Sequence, residues 1–501
     1  MLVLYKVSLL DDDLEEGSKN LTFDQDGLLN PMDPLSGIFL EPPVSKHVHI
    51  VVDAPPSSQR LAFLRANKSQ PPSVAGLLDK FMTRQSSAEK TIYCNRPDTA
   101  TATIPPTLLH SVFGRFLDEC ETHKVTADDS VFVLRLCSAM SNFYSKENER
   151  AQDIRNLFAS SGIHLIPSSI KNYDTDGDIS VNGFRYAIAE FKNEIGSTGA
   201  EPYGQGCLYY LEGTRDYASD YHRSPLPCML ILLFGPYIAF VGAVWNLRPV
   251  IQPLSPALPL HHHRTDDKLR RMVARHLGAF RTAIDALKQY YEKLELDNIK
   301  RPKRQRQLFP YPTTFTPVEG GDSLNFEYVF QPHQEKLVFF CIGSEQRELF
   351  VKFVRQYSRE VHEACASLGC APKLRGFEAL PGGWMMVVMD RLVADEYVEL
   401  YDATPTSSLI DMIEGKLTEL HQRNYVHGDV RETNILVSRH EKEFMLVDFD
   451  WAGKIGEARY PMNVNRGPGL WRPDGAKDGE LILPNHDMEM LGCIRRGRGL
   501  G

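Results

Sequence analysis

Apolar and polar positions along this chain fall into two rhythms. In "DDKLRRMVARHLGAFRTAIDALKQYYEKLEL", Leu269, Met272, Val273, Leu277, Phe280, Ile284 and Leu287 recur at steps of three and four. That spacing predicts a long helix with one buried stripe, read here as core. "DDSVFVLRLCSAMSNFYSKENERAQDIRNLF" also turns helical, with Phe143, Ile154 and Leu157 near the same period. Between these stretches lie the strand-like pieces "DISVNGF" and "RYAIAEFK". The uncharged run Pro225 to Leu247 is long enough to span a bilayer. Gly235-Pro236 breaks it in the middle, and each half is strand length, so it predicts a buried strand pair and no membrane partner.

The same patterning suggests domain limits. "VHIVV" closes a first segment, residues 1–53, and Pro-Pro-Ser-Ser follows it. Residues 54–125 mix Pro, Ser and Gln with short apolar runs and read as a linker with some helix. Residues 126–298 hold the helical and strand pieces above. "NIKRPKRQRQLFPYP" marks a basic, Pro-rich linker over 299–307, and a last domain spans 308–501. Lys300, Arg301, Lys303, Arg304 and Arg306 are read either as a nuclear localisation signal or as solvated linker.

Composition changes this picture little. A length of 501 residues suits about three domains, and 42% hydrophobic with 24% charged residues is ordinary globular protein. A net charge of -9 excludes a basic coat over the whole surface but not a local basic groove. The nine cysteines are scattered without a CxxC pair, which excludes zinc-ribbon and thioredoxin-like readings and suits reduced thiols. The N-terminal "MLVLYKVSLLDDDLEE" lacks a basic start and is not read as a signal peptide. His261-His262-His263 reads as exposed loop.

Two stretches carry chemistry. In "VHGDVRETNILV…LVDFDWAG", Asp429 suits the carboxylate beside an acceptor hydroxyl, and Asn434 and Asp448 suit oxygen ligands for Mg²⁺. Two short apolar runs between Asn434 and Asp448 read as a hairpin holding both at its ends. Upstream, Lys352 sits in the strand-like "ELFVKFV", Glu360 in a helical stretch eight residues on, and Met389 in "WMMVVMDRL". A strand Lys paired with a helix Glu positions nucleotide phosphates. Asp487, in "HDMEML", falls at a helix start from which it would tie down the loop of Asp429.

These motifs resemble the protein-kinase superfamily in its fungal kinase-like branch, over about 200 residues. The resemblance implies a bilobal fold, ATP and Mg²⁺ as cofactors, an adenine pocket lined by Met389 and a protein substrate. Gly428 stands where the family usually has Arg, Asp450 where DFG has Gly, and only Gly343 occupies the expected glycine-rich stretch. A kinase fold without turnover therefore stands as the alternative.

In "YDTDGDISVNGFRYAIAEFKNEIG", strand alternation places Glu190 and Lys192 on one face. Burying such a pair costs several kcal/mol unless it works on something. An acidic turn, Asp176 or Asp178, precedes it. An Asp and a Glu at adjacent strand ends can hold Mg²⁺, and a Lys can orient water against a phosphodiester. The order resembles the PD-(D/E)xK nuclease superfamily, a mixed sheet flanked by helices. The resemblance implies Asp176 (alternate Asp178), Glu190 and Lys192 as catalytic, Asp176 and Glu190 as metal ligands, Glu149 as a helical acid, Gln205 as a supporting amide, and DNA as partner. A solvated Glu/Lys pair, or a relict fold, is the other reading.

Residues 1–53, with "LYKVSL", "MDPLSGIF" and "HVHIVV", resemble the latter part of a Crinkler header, a ubiquitin-like domain. The expected class is thus multidomain α+β: a partial β-grasp header, a mixed α/β nuclease-like domain and a bilobal kinase-like domain. By resemblance the chain is a Crinkler-type effector, nuclear, or secreted to a host cell and then nuclear. The alternative is a non-catalytic interaction protein built on a pseudokinase and a relict nuclease.

Overall fold

The computed structural model describes strands β1 (Val3–Leu10), β2 (Leu28–Leu29) and β3 (His47–Asp53). It then describes residues 57–294 and 308–500, apart from 172, 198, 394–395, 440–442 and 468–469. The chain divides into two units, Met1–Leu308 and Phe309–Gly501, both of mixed α/β architecture. The three N-terminal strands pair antiparallel in the order β2-β1-β3. The "MDPLSGIF" motif and the basic 299–307 segment lie outside the described residues.

Residues read as a linker are part of the first unit. They form helices α1 (Ser57–Ala66), α2 (Pro72–Ala75), α3 (Leu78–Gln85), α4 (Pro106–Leu109) and α5 (Ser111–Thr122). Their Pro and Ser punctuate short helices, and the apolar runs between are buried: Phe63, Leu108, Phe113 and Phe116 are all at most 5% exposed. Arg60, fully buried, shows how firmly α1 is held. Its guanidinium donates to the carbonyls of Ala218, Tyr221, Ser224, Trp245 and Asn246, at 2.7–3.2 Å, with no carboxylate among them.

Helices α6 (Ala127–Met140) and α7 (Glu147–Ser160) follow, then strands β4 (Gly177–Val181) and β5 (Phe184–Lys192). Asn182 and Gly183 both have positive φ, the backbone a two-residue hairpin needs. After helix α8 (Pro202–Thr214) come β6 (Cys228–Phe234), β7 (Tyr237–Trp245), β8 (Pro249–Pro253) and β9 (Leu258–Pro259). Gly235-Pro236 is the turn between β6 and β7, so the uncharged run is a strand pair, and no helix among the described residues is long and apolar enough to cross a membrane. The sheet runs β8-β7-β6-β5-β4, with β9 beside β7; β5 and β6 are parallel and the other pairs antiparallel.

Helix α9 (Asp267–Glu292) buries Val273, Leu277, Phe280, Ile284 and Leu287 from the sequence stripe, with Leu269 and Met272 half-buried. Phe240 bridges α5 and α9 to the sheet, 5.4 Å from both Phe116 and Phe280. Helix α8 covers the opposite face: a Cβ at Gly206 would stand 3.1 Å from Leu232 Cδ2.

In the second unit the main sheet is antiparallel. Its order is Thr314–Phe315, β10 (Leu324–Phe330), β11 (Val338–Gly343), β12 (Glu348–Val354), β14 (Trp384–Asp390), β13 (Leu374–Leu380). Helix α10 (Arg359–Ser367) follows β12. Helix α11 (Ser407–Gln422), the hairpin β15 (Ile435–Ser438) with β16 (Phe444–Leu446), and helix α12 (Pro484–Gly497) make much of the remainder. Their apolar faces join β12, β13 and β14 in one core, to which α11 contributes Leu409, Ile410, Ile413 and Leu417.

Candidate functional site

In the first unit, the end of β5 gathers the charged groups. Glu190 is 1% exposed, and neither carboxylate oxygen has an aligned hydrogen-bond donor. Lys192 Nζ lies 2.6 Å from Glu190 Oε1, but out of line for a hydrogen bond, and 3.6 Å from Glu147 Oε1. Register pairs Gly177 with Ala189, so Asp176 comes beside Glu190 at the strand end. Asp176 Oδ2 accepts the Phe191 N–H at 2.8 Å. Burial pushes the Glu190 carboxyl well above its ordinary range, and the Asp176 charge adds to it. Burial also raises Asp176. For Lys192 burial opposes the charge, but Glu190 outweighs it and the ammonium is raised. Gln205, on α8, is buried with its Oε1 unpartnered.

Two expectations for this site need correcting. Asp178 is a hairpin tie: its Oδ2 accepts from Thr175 at 2.9 Å and Arg185 at 3.2 Å, and from Ser168. Glu149 is exposed, and Glu147 reaches Lys192 instead. Positions two apart are about 200° apart around a helix, so both cannot face the strand.

In the second unit, Lys352 on β12 lies 2.5 Å from Asp448 Oδ1 and 2.6 Å from Asp450 Oδ1. Asp448 has φ +70°, a left-handed turn in the chain between two carboxylates that share one ammonium. Burial works against the Asp448 charge, yet Lys352 and Arg431 hold its carboxyl down to about 2. Burial, with the Asp448 charge beside it, pushes Asp450 up to about 7.

Glu360 is exposed and is not the partner of Lys352. The inward face of α10 carries Val361, His362 and Cys365. The His362 ring stacks on Phe449 at 4.7 Å and bonds the Tyr357 hydroxyl and the Pro372 carbonyl, both at 2.8 Å. Those rings fill the space an inward carboxylate would need. Met389 is 7% exposed and packs in the apolar core.

Asp429 is buried and surrounded by donors. Asn434 Nδ2 donates to its Oδ2 at 2.9 Å and to its carbonyl at 3.0 Å. Arg431 Nε lies 3.2 Å from Oδ2, and its Nη2 is 3.9 Å from Asp448 Oδ2. Arg472 Nη2 is 2.6 Å from Oδ1, out of line for a hydrogen bond. The loop is fixed from below: Asp487 accepts the N–H groups of His427 at 2.9 Å and Gly428 at 2.7 Å. Gly428 has φ +82°, a backbone conformation that L side chains rarely adopt, and a Cβ there would stand 2.9 Å from Ile482 Cδ1, so a larger residue would be strained. The hairpin register, Ile435 opposite Leu446, brings Asn434 and Asp448 to one end.

Sequence reading missed Glu147, Asp450 as a partner of Lys352, His362, and the arginines 431 and 472. Arg431 lay inside the quoted motif; Arg472 is 43 residues from Asp429, and nothing local signals their contact. Among the described residues no three His, Cys, Asp or Glu side chains form a ready metal site. An ion at either site would take part of its shell from water or substrate.

No family model and no curated protein matches the chain. Among solved structures, the chain is similar to the kinase PK-1 of Cydia pomonella granulovirus, at 19% identity and a TM-score of 0.30, over 34% of this chain and 67% of that one.

Proposed function

We propose that the second unit transfers a phosphoryl group from ATP. The observation that carries this reading is the convergence of Lys352 with Asp448 and of Asn434 with Asp429, the two pairs linked through Arg431 at 3.2 and 3.9 Å. Lys352 and Asp448 are 96 positions apart in the chain, and the other two lie between them.

Asp429 would take the proton of the acceptor hydroxyl, and Asn434 would hold its carboxylate in place. Lys352 would exchange its carboxylate partners for nucleotide phosphates. Mg²⁺ supplies charge neutralisation on the phosphates when bound, and the donor set fits it: Asn434 and Asp448 would hold it through oxygen. The test compares wild type and Asp429→Ala with γ-labelled ATP. Transfer should fall about 10²–10⁴-fold. Equal labelling by both would remove Asp429 from the mechanism.

A second reading concerns the first unit, and the buried Glu190 carboxylate, with Lys192 as its one close cation and no aligned donor on either oxygen, favours it. We infer a Mg²⁺-dependent phosphodiester site. Glu190 and Asp176 fit a divalent ion, and Lys192 would orient water. A plasmid-nicking assay with Mg²⁺ compares wild type and Lys192→Ala; undiminished nicking by the variant would sink this role. The Crinkler resemblance of residues 1–53 would make both units parts of an effector acting in a nucleus.

A further inference from the structure

From Lys192 the sheet of the first unit continues into a row of aromatic side chains that neither reading above uses. Register pairs Lys192 with Phe234, Phe234 with Tyr237, and Tyr237 with Pro259. Registered neighbours share a face, so Lys192, Phe234 and Tyr237 line up across three strands. Successive strands are about 4.8 Å apart, which makes the row from β5 to β9 about 14 Å long. Phe234 and Tyr237 are half-buried, with rings stacked at 5.9 Å and 16°. His261, two residues past β9, sets its ring against Tyr237 at 5.2 Å and 78°.

Exposed basic side chains come next along the chain, from His261, which touches the row, into the start of α9. His261, His263 and Arg264 are exposed, and α9 opens with Lys268 and Arg271 exposed. None of Arg264, Lys268 and Arg271 has an ion-pair partner among the described residues. The acids near this loop and the β6–β7 turn are engaged: Asp267 pairs with Arg270, Asp266 caps Leu269, and Glu194 pairs with Arg150, while Glu190 and Asp176 stand at the Lys192 end. Bases stack on aromatic faces while phosphates need cations, and a duplex hides its base faces.

We propose that this row is a track for single-stranded nucleic acid, leading from the His261–Arg264 loop to the Lys192 end of β5. The direction of the track rests on the phosphodiester reading of Glu190; the binding itself does not.

The test is fluorescence anisotropy of the full chain with a labelled 20-nucleotide oligothymidine in EDTA, which separates binding from Mg²⁺-dependent cleavage. Phe234→Ala/Tyr237→Ala should weaken binding about tenfold or more. The surface variant Arg264→Glu/Lys268→Glu/Arg271→Glu, which disturbs no core residue, should weaken it as well and flatten its salt dependence. No binding by wild type, or binding unchanged in the surface variant, overturns the track. A duplex of the same length binding as tightly overturns the single-strand preference, and an RNA arm reports which sugar is favoured. Binding without cleavage in Mg²⁺ would sink the phosphodiester reading and leave the track standing.

Discussion

The two candidate sites solve opposite electrostatic problems. Glu190 is a buried carboxylate short of donors, with one misaligned ammonium beside it. Asp429 and Asp448 are carboxylates crowded by Lys352, Arg431, Arg472 and Asn434. A site of the first kind gains from an added cation. In the second, resident cations must move before a substrate can use the carboxylates. The same residue types thus imply different steps on binding.

The largest expected effect breaks this contrast if it fails. Lys352→Met leaves the half-buried Asp448 and Asp450 side by side without their ammonium and should cost about 2–3 kcal/mol, below the figure for a fully buried pair. Lys192→Met should cost less, because its close carboxyl, Glu190, already sits high and can protonate, whereas Lys352 serves two carboxylates and Asp448 is held low. Urea unfolding of the two variants checks the order; equal costs would end the comparison.

A smaller effect sharpens it. The raised Glu190 means the unfolded chain loses that proton first, at ordinary carboxylate pH. Between there and the raised folded value, the folded state holds the extra proton, so stability falls as pH rises. Glu190→Gln should flatten that slope. Hydrogen exchange of β5 amides at pH 5 and pH 8, corrected for intrinsic rates, measures it. The smallest effect concerns Glu360. Glu360→Ala should change stability by less than about 0.5 kcal/mol and leave phosphotransfer intact; a large loss would restore the strand-helix ion pair.

What the sequence revealed followed periodicity. The α9 stripe, the break at Gly235-Pro236 and the shared face of Glu190 and Lys192 need only local spacing. Long-range partners were hidden. Glu360 has the right distance from Lys352 along the chain, but the turn of α10 puts His362 inward. Glu149 and Glu147 look alike in sequence, and only helix phase separates them. The segment before Val125 looked like a linker because Pro and Ser punctuate its short helices, while its burial depends on strands far along the chain.

Arg60 sets a boundary for anyone shortening this protein. Five carbonyls, from Ala218 to Asn246, accept from that one guanidinium, Tyr221 also taking the Ser224 N–H. A fragment starting at the apparent helical onset near residue 126 would leave them facing an empty socket, at roughly 1–3 kcal/mol for each one that water cannot reach. The smallest self-sufficient version of the first unit therefore begins upstream of α1.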